Sequence, residues 1–157
     1  MTKTDLIHQL YVLEKQDPVR KIGSSEDLLP LLLKERKART EHFVLFCLNG
    51  GNRLISKHVV FKGGMTASLV DPKVIFHLAL KKGAAAIIVA HNHPSGAVEP
   101  SQEDKGVTRR LEDGCKILGI CFLDHIIVGK GGHSSWLRDN RWGMVEQERR
   151  MEKILAG

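Results

Sequence analysis

"AHNHPSGAVEPSQEDKG", residues 90–106, sets two histidines one residue apart and follows them with a turn rich in proline and glycine. The run leading into it, "AAAIIVAH" (residues 84–91), is short and apolar up to its final histidine, with a glycine before it and a proline shortly after, and reads as a strand. Alternation along that strand puts the imidazoles of His91 and His93 on one face. Pro94 stops the strand, Gly96 lets the chain turn, and Pro100-Ser101 opens a helix with Ser101 as its N-cap. Along this helix Val107, Leu111, Cys115 and Leu118 form an apolar stripe, and Asp104 continues the stripe at its N-terminal end. A carboxylate aimed along an apolar face needs a partner, because a buried unpaired charge is very costly. Two imidazoles and one carboxylate, with water in the fourth place, make an open catalytic zinc site. The plainer alternative is a helix cap with a favourable first-turn acid and two loop histidines bonded to the backbone. The strand end, the turn and the stripe position of Asp104 agree with one another and favour the metal site. The adjacent letters "HNH" carry no nuclease meaning, since nucleases of that name draw their residues from separated parts of a unit.

Working outward, "HFVLFCLN" (42–49) is a near-continuous apolar run, as expected of a strand buried on both faces. "GGN" (50–52) is a tight turn, and "RLISKHVVF" (53–61) is the paired strand of a hairpin. Asp71-Pro72 opens a helix running to about Lys82. "ICFLDHIIVG" (120–129) is a fourth strand, on which Asp124 and His125 alternate and one of the two faces the core. "GKGGHSSW" (129–136) is a turn and short strand, with His133 at the surface and Trp136, like Trp142, a packing residue. Before the hairpin lie a short helix at 4–16 and a second at 25–39 with Leu28, Leu29, Leu32 and Leu33 as its core stripe. The order predicts an α/β (α+β) fold, a mixed sheet flanked by helices. Three parts are expected: an N-terminal helical extension (1–40), a central domain (41–138) and a C-terminal helix (139–157).

The 157 residues suit one domain, and 42% apolar residues supply a core that a disordered chain lacks. Cys47, Cys115 and Cys121 are odd in number, form no CxxC pair, and read as buried reduced thiols. No apolar signal region or spanning segment is visible, so a cytoplasmic protein with no membrane partner is expected. The net charge of +6 raises the prospect of nucleic acid as a partner, although its basic clusters read as solvated helix faces.

His91-x-His93-Pro94, six further residues, Ser101, two more and Asp104 resemble the JAMM signature of JAB/MPN-domain metalloproteases. "HNHPSG", "EPS" and "LDHIIVG" resemble the RadC-type branch, a bacterial family long labelled as DNA-repair proteins, over residues 42–136. The resemblance implies a curved mixed sheet between helices, akin to cytidine deaminases. It implies Zn2+ held by His91, His93 and Asp104, with the Ser101 hydroxyl steadying an oxyanion. It also implies a glutamate on an upstream strand as general base, and at the expected place, after the "NR" turn, stands His58. His58 is then a general base, a fourth zinc ligand, or the mark of a lost base; Glu99 and Glu103 are substitutes near the ligands. Longer members carry a helix-hairpin-helix module, for which the residues before "HFVLF" are too few.

The favoured function is a zinc hydrolase acting on a protein or peptide substrate at peptide or isopeptide bonds. The alternatives are an inactive metal-stabilised interaction module, DNA-associated through its basic charge, and a metal-dependent nuclease. A homodimer through the C-terminal helix face (Met144, Met151, Ile154, Leu155) is a further expectation.

Overall fold

The computed structural model describes residues 2–3, 20–63, 70–143 and 154–156. The helix expected at 4–16, and Met144 and Met151 of the C-terminal face, lie outside the described residues. Ile154 and Leu155 are exposed.

A 3-10 helix (Ser25–Leu32) leads into α1 (Leu33–Lys37), followed by the hairpin β1 (His42–Leu48) and β2 (Leu54–Lys62). Then come α2 (Pro72–Lys81), β3 (Ala86–Asn92), α3 (Gln102–Leu118), β4 (Cys121–Gly129), β5 (Gly132–Ser135) and a closing 3-10 turn (Asn140–Gly143). The five strands form one mixed sheet in the order β2-β1-β3-β4-β5. β1 runs antiparallel to both β2 and β3, while β3 and β4 run parallel with α3 as their crossover. The α/β class and the flanked mixed sheet are those expected.

β1 is buried from Phe43 to Leu48, as its apolar run requires. Its alternate residues serve two cores. Phe43, Leu45 and Cys47 join Ile87 and Val89 under Ile75 and Ala79 of α2 and Val107, Leu111 and Cys115 of α3. Val44, Phe46 and Leu48 join Ile88, Ala90, Ile126 and Val128 against Ile22, Leu28 and Leu32. The sheet is thus covered on both faces, with α2 and α3 on one side and the 3-10 segment on the other.

Three expectations need correction. The helix expected over 25–39 is a 3-10 helix to Leu32 and an α-helix only over Leu33–Lys37. Pro30 inside it has no N–H to donate and its ring crowds the preceding turn, so a regular α-helix cannot run through. The changed winding buries Leu28 and Leu32 and turns Leu33 outward, 52% exposed. Cys121 opens β4 at the sheet margin and is exposed, unlike buried Cys47 and Cys115. Leu118, on the last turn of α3, is also exposed and is not part of the buried stripe.

Candidate metal centre

The end of β3 and the start of α3 meet over the first of these cores. His91 pairs with Phe43 in the β1–β3 register and is stacked on its ring at 5.8 Å between centroids. That puts His91 on the α3 face of the sheet. His93 follows two residues on, and its Nδ1 is 3.0 Å from the Ala97 carbonyl, a bond within the turn that aims Nε2 inward. Gly129 lets this turn settle: a Cβ there would meet the Gly96 carbonyl oxygen at 2.4 Å. The turn is thereby seated against the end of β4.

Ser101 caps α3. Its hydroxyl accepts the Asp104 N–H at 3.1 Å, and its own N–H donates to Asp104 Oδ2 at 2.8 Å. This capping box locks Asp104 on the inner side of the first turn, where it is 1% exposed. Its oxygens then reach both histidines, Oδ1 to His91 Nε2 at 3.1 Å and Oδ2 to His93 Nε2 at 3.0 Å. The two Nε2 atoms are themselves 3.0 Å apart. Among the described residues, His91, His93 and Asp104 form the group able to hold a metal ion.

The donor set fits a cation. Two imidazole nitrogens facing each other with bare lone pairs repel, so they need a proton or a cation between them. Ligands of a tetrahedral zinc at 2.0–2.1 Å stand about 3.3 Å apart. The observed separations of 3.0–3.1 Å are close to that spacing. Burial pushes the Asp104 carboxyl up, but the His91 and His93 rings beside it outweigh that effect and hold the group well below the usual carboxylate range. The bond to Asp104 raises His93 above the ordinary imidazole value, against the effect of burial.

His58 is not brought to this group. It lies on edge strand β2 opposite Leu45, with Nε2 2.8 Å from Ser56 Oγ. Burial and the charge of Lys82, at the far end of α2, lower its pKa. Glu99 and Glu103 are exposed. The acid that does sense the group is Glu41, the residue before β1. Partial burial raises its pKa, while His91 and His93 lower it and Asp104 raises it. Continuing the Phe43–His91 register by two residues sets Glu41 across from His93. Asn92, between the two histidines, fixes that placement: its Oδ1 accepts the His42 N–H at 2.6 Å and its Nδ2 donates to the Thr40 carbonyl at 3.0 Å. The side chain therefore grips the backbone on both sides of Glu41. The sequence signal was an acid directly ahead of an otherwise apolar strand, readable once the antiparallel register is known.

On β4, both alternating residues are buried. Asp124 faces the 3-10 segment and accepts from Ser25 and Ser135 hydroxyls and from the Leu137 N–H. His125 faces α3, with Nε2 2.7 Å from His91 Nδ1. Trp136 and Trp142 are buried, and the Trp142 ring lies 5.0 Å from that of His125.

Residues 22–142 match the model of the RadC-like JAB domain. The chain belongs to that family. It is similar to UPF0758 proteins of Methanosarcina barkeri (41% identity over 121 residues), Clostridium perfringens (46% over 110) and Listeria monocytogenes (40% over 136). These alignments cover 76%, 69% and 86% of this chain and 53%, 48% and 60% of the relatives. The chain thus spans about half the length of the first two and three-fifths of the third. The RadC-like match takes in the 3-10 segment and α1 as well as the sheet. Among the described residues of this RadC-like domain, no helix is long and apolar enough to cross a membrane.

Proposed function

We propose that this RadC-like JAB domain is a zinc-dependent hydrolase of peptide or isopeptide bonds. The observation that carries the reading is the convergence of two imidazole nitrogens and a carboxylate at 3.0–3.1 Å. When bound, zinc supplies a Lewis acid for the scissile carbonyl and lowers the pKa of its water to about 7. The remaining tasks fall to the chain. His91, His93 and Asp104 hold the ion. Glu41 takes the proton of the attacking water and returns it to the leaving nitrogen, and its raised pKa brings it nearer the pH at which it must do both. Ser101 Oγ accepts from the Asp104 N–H, which leaves its own O–H to donate to the carbonyl oxygen as charge develops there. With Glu41 in the part of base, His58 is no sign of a lost activity.

The test uses zinc-loaded protein with fluorogenic peptide and isopeptide substrates. Glu41→Gln lowers kcat/KM by about 10²–10⁴ with zinc content unchanged, and His58→Ala leaves the rate as it was. A fully active Glu41→Gln protein removes Glu41 from the mechanism. Loss in His58→Ala instead returns the role to His58. If the wild-type domain cleaves neither substrate class, the hydrolase reading fails.

A further inference from the structure

His125 has no part in the chemistry above, yet its position is tightly determined. It is 0% exposed, enclosed by the ring edge of Phe43 at 5.7 Å and the ring of Trp142 at 5.0 Å. Both ring nitrogens have polar partners at 2.7 Å: Nε2 faces His91 Nδ1, and Nδ1 faces Thr108 Oγ1. Thr108, one turn beyond Asp104 on α3, is also 0% exposed and donates to the Asp104 carbonyl at 3.0 Å.

The protons in this chain can be counted. The Asp104 carbonyl can only accept, so it takes the single hydroxyl proton of Thr108. Thr108 Oγ1 must then accept from His125, which makes Nδ1 the protonated nitrogen of that ring. A neutral imidazole protonated at Nδ1 has a bare Nε2, and this site is one where an unpaired charge is costly. His125 Nε2 therefore accepts from His91 Nδ1–H. His91 Nε2 is left bare, facing His93 and Asp104.

We infer that Thr108 and His125 form a one-way hydrogen-bond relay that fixes His91 in the tautomer able to ligate a metal ion through Nε2. They are positioning residues, acting through His91. The relay begins at the backbone of Asp104, so the helix turn that supplies the carboxylate ligand also sets the proton on the histidine ligand. Reversing one bond reverses the rest: without the Thr108 acceptor, His125 is free to carry its proton on Nε2, and His91 is pushed toward the tautomer with a blocked Nε2.

The inference rests on the metal reading of the site, and the experiment separates the two. Zinc affinity is measured by chelator competition for wild type, Thr108→Val, His125→Phe and His125→Gln. Long-range ¹H–¹⁵N spectra of the wild-type imidazoles are recorded without metal and with zinc. Thr108→Val and His125→Phe bind zinc about 10–100-fold more weakly. His125→Gln, whose amide oxygen reaches the Nε2 position, recovers part of the loss. The spectra give Nδ1–H for both His91 and His125. Wild-type affinity in Thr108→Val, or an Nε2–H signal for His125, overturns the relay alone. A wild-type protein that takes up no zinc overturns the metal reading and the relay together. If His125→Phe does not fold, Thr108→Val and the wild-type spectra still decide.

Discussion

Asn92 shows how one side chain can serve a site it does not enter. It separates the two histidines in sequence, so strand alternation turns it away from them. Its amide instead bonds Thr40 and His42, on either side of Glu41. Asn92→Ala removes both part-buried bonds, to the His42 N–H and the Thr40 carbonyl, at a cost of about 1–3 kcal/mol of stability by urea unfolding. The same variant keeps zinc, because none of its bonds reaches the ligands, and loses turnover, because Glu41 is no longer held. Equal losses of zinc and turnover would show that Asn92 supports the whole site rather than the acid. At this scale the sequence was most legible where local geometry decides. His91, His93 and Asp104 are joined by a strand period, a turn and a helix cap, all short-range rules. Glu41 and His125 are not. Glu41 stands just ahead of β1 and His125 on β4, and only the register between strands tells which residues lie beside His91 and His93. His58, expected from a motif position, lies in the row of Leu45 and pairs with Ser56 instead.

At the scale of elements, the site depends on how the 93–100 turn is seated. Gly96 takes φ +86, and Gly129 at the end of β4 leaves no room for a Cβ beside it. Backbone lies on the far side of that contact, so the turn itself must shift to admit a methyl group. Gly129→Ala is expected to lower the melting temperature by several degrees, the effect of about 1–3 kcal/mol of overpacking in a domain of this size. It also weakens zinc binding, since His93 is bonded to Ala97 in that turn. An unchanged melting temperature with unchanged zinc affinity would mean that the turn is not held by this contact. The strands and α3 were legible because their apolar runs and caps are strong and short. The 3-10 segment was not. Its leucines repeat at a helical spacing, and Pro30 alone marks the change of winding that brings Leu28 and Leu32, but not Leu33, to the sheet. Asp124 likewise gives no local sign of its task, which is to tie Ser25, Ser135 and Leu137 to one carboxylate across three segments.

Across the whole molecule, a sheet packed on both faces holds a polar group that apolar packing alone does not need. On the α3 side, among the described residues, the buried Asp104, Thr108, His125 and His91 form one connected set with the half-buried His93. Such a set destabilises a core unless every member is satisfied. The close pair of Nε2 atoms on His91 and His93 is the place where satisfaction calls for a proton or a cation between them. Family membership agrees with that reading, and the mixed sheet could be read from the order of elements in the sequence. The charge of +6 gave no comparable guide. Some of it is used internally, as when Arg36 Nε bonds the Gly129 carbonyl and Lys57 pairs with the buried Glu35. The most direct measurement is elemental analysis of the wild-type domain and of Asp104→Asn, each dialysed against zinc and then against metal-free buffer. About one zinc per wild-type chain, and none in a folded Asp104→Asn protein, is the expected result. Zinc retained in the variant, or absent from a folded wild type, would contradict it.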